Sequence, residues 1–248
     1  METPGFAQLA FCAVVVMVAF AVRGTTGFGG NAIAVPLLTL VLPMQNVVAA
    51  VTVLTVLSSL GHWLGDWRRI VWTEILRAAP FTLIGVAAGL YLFETLDART
   101  LTRAFGGFVI LYAIYSLAMA QRALAPSRKM LWPLAAVLCT LAGLVGTLFG
   151  GAAGPIYVIY LRTLQLGKDS FRVTITTILM TQAVMRVAGY FKIGFYDRAT
   201  LLMLAAALPL MLAGAWLGGA IAGRIDQLTF NRIVGAVLLC SGIALLFK

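Results

Sequence analysis

Acid is scarce in this sequence: 8 Asp and Glu residues among 248, against 18 Lys and Arg and a single histidine. The acidic residues, Glu2, Asp66, Glu74, Glu94, Asp97, Asp169, Asp197 and Asp226, all fall at or near the ends of apolar segments. None is expected at the middle of a bilayer, which disfavours a relay of carboxylates carrying protons across it. One histidine and no Ser/His/Asp spacing leave hydrolytic or metal catalysis without residues to perform it. The chain therefore reads as no enzyme, with no catalytic residue, metal site or cofactor. It has no P-loop, so no ATP drive resides within it. The three cysteines, Cys12, Cys139 and Cys240, stand singly in apolar runs. With no CxxC pair and an odd count they read as small core residues, not a disulfide framework or metal ligands.

What remains is apolar. Hydrophobic residues make up 62% of the chain and charged ones 10%, where a soluble domain carries roughly a quarter charged. Mean hydropathy is +1.01. The charges lie between apolar runs, many of which have the roughly twenty residues that cross a hydrocarbon core. No polar stretch is long enough to fold alone, so residues 1–248 read as a single polytopic membrane domain with the lipid bilayer as its solvent. The net charge of +10 fits Lys and Arg gathered in cytoplasmic loops and does not call for nucleic acid. The N-terminus carries Glu2 in place of a basic region and its apolar run ends at Arg23, so it reads as a retained helix, not a cleaved signal peptide.

The chain repeats itself. Pro80–Leu117 and Pro209–Leu246 align without a gap at an offset of about 129, which pairs Pro80 with Pro209, Gly85 with Gly214, Gly89 with Gly218, Asp97 with Asp226, Thr100 with Thr229, Arg103 with Arg232 and Gly106 with Gly235. Ten apolar segments follow, five per half: roughly 5–22, 31–42, 46–65, 72–93 and 100–120, then 131–147, 153–165, 169–190, 199–222 and 229–247. The halves span about 5–120 and 131–247. An odd number of segments per half starts the second copy on the opposite side, so the expected fold is all-α, built from two inverted five-segment repeats. The Lys and Arg bias places the connection between halves in the cytoplasm and both termini outside.

The second segment of each half is too short to span and follows a glycine cluster, "RGTTGFGGNAIAVP" at Arg23–Pro36 and "GTLFGGAAGP" at Gly146–Pro155. Such density of glycine and proline breaks a helix, and a break survives in lipid only where backbone faces protein or a wet cavity. Each half is thus expected to contain a glycine-broken or re-entrant helix pair. A helix that begins inside the membrane offers unpaired N–H groups and a positive dipole end to an anion. Thr25, Thr26 and Asn31 add polar groups to the first cluster. The alternative is that the glycines serve only close helix packing.

The third segments align at an offset of about 124, which pairs Ser58 with Gln182 and His62 with Arg186. Each pair is spaced by four residues and so shares one helix face, and Thr55 extends the first stripe. Ionisable groups inside membrane helices are candidates for function. His62 and Arg186 also lie near Trp63 and Tyr190 and alternatively mark the membrane interface. Arg23 reads either as a snorkelling side chain or as an electrostatic lure for anions.

The segments "GTTGFGGNAIAVPLL" at Gly24–Leu38, "SSLGHWLGDWRRIVW" at Ser58–Trp72 and "PFTLIGVAAGLYL" at Pro80–Leu92, with "GTLFGGAAGPIYVIYL" at Gly146–Leu161 and "MRVAGYFKIGFYD" at Met185–Asp197, resemble the TauE/SafE family of sulfite exporters. The resemblance covers about residue 8 to 247. It implies a multi-pass transporter in the bacterial inner membrane for sulfite, organosulfonates and similar small sulfur anions. By that likeness Gly27, Gly29, Gly30, Pro36, Gly150, Gly151 and Pro155 belong to the site, and Asn31 stands where a third glycine is common.

The resulting expectation is a secondary transporter, an exporter of a small inorganic or organic sulfur anion. The broken-helix N-termini bind the anion, Arg186 and His62 supply charge, Ser58 and Gln182 supply hydrogen bonds, and Arg23 stands beside the first glycine cluster. Association into a homo-oligomer stays open. The rivals are an uncoupled channel or uniporter, a membrane redox or assembly factor working through cysteines, and a membrane scaffold.

Overall fold

A computed structural model describes residues 5–26, 29–119, 131–150, 153–221 and 239–247. All regular structure among them is helical: α1 (Phe6–Thr26), α2 (Gly30–Thr39), α3 (Met44–Asp66) with a 3₁₀ turn at Trp67–Arg69, α4 (Trp72–Thr95), α5 (Ala98–Met119), α6 (Leu131–Leu148), α7 (Gly154–Arg162), α8 (Lys168–Ile193) and α9 (Arg198–Ile221). A final helical stretch occupies residues 239–246. The glycines and prolines that punctuate the sequence set these boundaries closely. One differs with consequence: α1 runs four residues past the expected end and takes Arg23 and Thr25 into its last turn. Arg23 is buried, so nothing draws it out to water and the helix continues through it.

Among the described residues four stretches, Phe6–Thr25, Trp72–Thr95, Leu131–Leu148 and Arg198–Ala220, are long and apolar enough to cross a bilayer. They expose Leu9, Val14, Leu83, Ile84, Val137, Leu202 and Leu212 while Thr52, Thr55, Ser59, Thr177 and Gln182 are buried. Polar inside and apolar outside is the pattern expected of a protein whose surroundings are hydrocarbon. The short helices conform. α2 and α7 have 10 and 9 residues, and all of α2 except Leu37 is buried. α2 folds back along α1, so that a Cβ on Gly30 would fall 2.5 Å from the Ala19 carbonyl oxygen. The first break is turned by Gly29 at φ 90° and the second by Gly150 at φ 68°, a left-handed region that glycine enters without penalty.

The two most extensive helix interfaces are α4 with α6 and α1 with α9, each joining the fourth segment of one half to the first of the other. Glycine allows both. A Cβ at Gly85 would lie 2.1 Å from the Thr140 carbonyl oxygen, and one at Gly89 2.7 Å from the Thr147 Cβ. Their repeat partners meet α1 in the same way: a Cβ at Gly214 would lie 2.4 Å from the Met17 carbonyl oxygen, and one at Gly218 2.0 Å from that of Ala21. Small residues four apart let backbones touch, and such packing holds helices together where lipid removes the hydrophobic drive between them.

At the centre α3 and α8 run antiparallel and pack on each other. A polar clasp closes each end of the pair. At one end Arg69 Nη1 meets Asp169 Oδ2 at 2.6 Å, with both side chains more than half exposed. At the other, Asn46 Nδ2 donates to Thr200 Oγ1 at 2.7 Å and to Asp197 Oδ1 at 3.3 Å. Asp197 also accepts from the Thr200 N–H (2.8 Å), which caps α9 and holds the carboxyl below the usual carboxylate range. Asp97 caps α5 likewise, lowered first by the Thr100 hydroxyl and then by its N–H.

Gly85→Ala and Gly218→Ala should each lower the thermal unfolding temperature of the detergent-solubilised protein, overpacking costing about 1–3 kcal/mol. Gly219→Ala, whose Cβ would meet nothing within 4 Å, should leave it unchanged. Fluorescence-monitored melting reads all three.

Candidate anion site

The α3–α8 pair carries the buried polar groups. On α3, Thr52, Thr55 and Ser59 recur at helical spacing and point inward. On α8, Gln182 and Arg186 sit one turn apart, and both are buried. These side chains reach the glycine breaks on either side.

From α1, the Arg23 Nη2 donates to Ser59 Oγ at 2.6 Å, and the Ser59 hydroxyl donates to the Thr55 carbonyl at 2.7 Å. From α2, Asn31 Nδ2 donates to Thr55 Oγ1 at 2.7 Å and to the Gly150 carbonyl at 3.0 Å. That second bond joins the first half's break to the second's. From α8, Gln182 Nε2 donates to the Ala142 carbonyl at 2.7 Å, while Arg186 Nη1 donates to the Gly146 carbonyl and Tyr190 Oη to that of Thr147. The reason for the last two lies in α6: because the helix stops at Leu148, the carbonyls of Gly146 and Thr147 lie in its last turn, and α8 supplies their partners.

The site is short of negative charge. Arg23 is 2% exposed and Arg186 1%, and the two guanidiniums act on one another electrostatically. No carboxylate among the described residues pairs with either, and the Nε of each has no hydrogen-bond partner there. The buried Glu74 does not compensate them. Its two oxygens accept from Arg77 Nη1 at 2.7 and 2.8 Å, and Oε2 accepts from the Tyr160 hydroxyl at 2.6 Å. Helix dipoles contribute little, since the break that ends α1 with about half a negative charge also starts α2 with half a positive one. An unpaired buried ion costs several kcal/mol, and here there are two. Among the described residues the arrangement holds two buried cations and no anion paired with either.

The sequence-predicted residues fall into three groups. Arg23, Asn31 and Gly150 share one hydrogen-bonded chain through Ser59 and Thr55, while Gln182 and Arg186 both bond α6. Gly29, Gly30 and Pro36 build the buried α2 hairpin, Thr25 only donates to the Val22 carbonyl of its own helix, and Pro155 lies in the first turn of α7. Ser58 is half-buried and donates to the Thr55 carbonyl at 3.1 Å, while Arg23 bonds its neighbour Ser59. Gly27, Gly151 and the side chain of His62 lie outside the described residues. Ser59 was not among the expected residues. Its signal was present, since it follows Thr55 by four positions, but the repeat register pairs Gln182 with Ser58, and one residue is a rotation of about 100° around a helix.

Neither Arg23 nor Arg186 snorkels to an interface. Both point into protein. An apolar cavity of about 190 Å³ between α1, α3 and α9 is separate and is lined by Leu9, Cys12, Val16, Leu54 and Leu210.

Ser59→Ala should weaken binding of small oxyanions about tenfold, the worth of a hydrogen bond to a charged group being about 1.5–3 kcal/mol. Ser58→Ala should leave binding within about twofold. Titration calorimetry on the two purified variants checks this.

A family model described as Sulfite exporter TauE/SafE matches residues 12–245, from the second turn of α1 to the final helix. A Comamonas testosteroni protein named "Probable inner membrane transporter protein TsaS" is 28% identical over 199 residues, covering 79% of this chain and 80% of that protein. No solved structure matches. The match runs through both glycine breaks and both buried arginines, and the chain belongs to the TauE/SafE family of membrane transporters.

Proposed function

We propose that the chain is a secondary transporter of the cell inner membrane that exports sulfite, an organosulfonate or a related small sulfur anion. One observation carries this reading: Arg23 of the first half and Arg186 of the second are both buried, with no carboxylate partner among the described residues. The family match and the inner-membrane name of the Comamonas relative support the compartment and the substrate class.

In this mechanism the anion enters between the α1–α2 and α6–α7 breaks. It accepts from the free Nε groups of Arg23 and Arg186, whose guanidiniums are held by Ser59 and by the Gly146 carbonyl. The two halves, related as inverted repeats, then rock about it on the α3–α8 pair. The burial of both arginines supports a carrier that closes around its cargo over an open pore. With no carboxylate among the described residues paired with either arginine, any coupled proton travels on His62 or on the substrate itself, because sulfite and bisulfite interconvert near neutrality.

In proteoliposomes, Arg186→Gln and Arg23→Gln should each reduce sulfite transport at least about a hundredfold, breaking a charged contact in a buried site costing about 3–5 kcal/mol. An Arg69→Ala control at the exposed clasp should still transport. Retained transport in both buried-arginine variants would remove the reading. Replacing Cys12, Cys139 and Cys240 together by Ser should leave transport unchanged, the opposite of what a cysteine redox relay requires; the same flux assay decides it.

A further inference from the structure

Resting on the reading of this centre as an anion site, we infer that it selects a doubly charged oxyanion over singly charged sulfonates of the same size. The inference follows from a count of buried charge. Arg23 and Arg186 come from different halves, lie near enough for the charge of one to act on the other, and are each at most 2% exposed. Each keeps an Nε donor with no partner among the described residues. Among the described residues the one buried carboxylate, that of Glu74, is already held by Arg77 and Tyr160.

A monoanion between the two guanidiniums neutralises one charge and leaves the other buried and unpaired. A dianion neutralises both. Because water is excluded, the penalty for the leftover charge is not screened away. One group opposes this. Gln182 Oε1 is buried without a partner, and as an acceptor it favours a ligand that carries a hydrogen. Its nitrogen is engaged by the Ala142 carbonyl, so the amide cannot turn to present a donor without losing that bond. The opposition is weaker, because an unmet neutral acceptor costs less than an unmet ion. Two cations therefore outweigh one amide oxygen, and the ligand is a compact species that brings two negative charges and mainly accepts hydrogen bonds.

The test is equilibrium binding to the purified full-length protein in detergent at a pH where sulfite is fully ionised. Sulfite, thiosulfate and sulfate form the doubly charged set, and methanesulfonate and ethanesulfonate the singly charged set. The tightest dianion should bind at least about tenfold more tightly than methanesulfonate. In Arg23→Gln or Arg186→Gln that ratio should fall to about threefold or less, while Arg186→Lys, which keeps the charge, should preserve it. If the Gln variants do not remain monodisperse, the Lys variant and the wild type decide alone. Methanesulfonate binding as tightly as every dianion in the wild type, or a Lys variant that binds but has lost the preference, overturns the inference and leaves the anion site standing. No anion binding in the wild type, or binding indifferent to both arginines, overturns the transport reading as well.

Discussion

Two helices stop in the interior of this protein, and the peptide groups freed by each stop cannot be left facing hydrocarbon. Much of the architecture can be understood as meeting that constraint. α2 is buried along nearly its whole length by α1 and α3. The Gly146 and Thr147 carbonyls at the end of α6 are taken by Arg186 and Tyr190 from α8, and the Gly150 carbonyl by Asn31. The enclosure needs long helices that approach closely, which the glycines of α4 and α9 permit. Fold and site thus share one cause: the groups that satisfy broken backbone are the groups that meet in the middle.

Electrostatics then separates two kinds of buried polar cluster. Glu74, Arg77 and Tyr160 form a closed set in which each charge has its counter-charge. Arg23 and Arg186 form an open one. A closed set stabilises a single arrangement, whereas an open one stores unfavourable energy that a ligand of the right sign releases. In a chain with so little acid, the placement of Glu74 away from the centre matters as much as the placement of the arginines within it.

Much of this was legible in the amino-acid sequence. Glycine and proline punctuation located the helices, because those residues act locally through φ and the missing N–H. The repeat picked out Gly85, Gly89, Gly214 and Gly218 as equivalent before their packing was known. Three things were not legible. Arg23 and Arg186 could equally have been interfacial side chains, since direction depends on which way a helix face turns in the assembled bundle. Ser59 was displaced by its neighbour because repeat alignment assumes that both copies use matching positions, and here they do not. Glu74 sits in the first turn of its helix, where sequence suggests a solvated end, yet α7 covers it.

The clasps at the two ends of the α3–α8 pair are chemically unlike. One is a full ion pair, Arg69 with Asp169, with side chains 56% and 66% exposed, and the other rests on the neutral amide of Asn46. Dissolved salt screens the first far more than the second. The protein accordingly carries an asymmetric sensitivity to its surroundings: raising ionic strength on the Arg69 side loosens one end of the central pair and leaves the other nearly untouched, so the medium itself biases which end parts first.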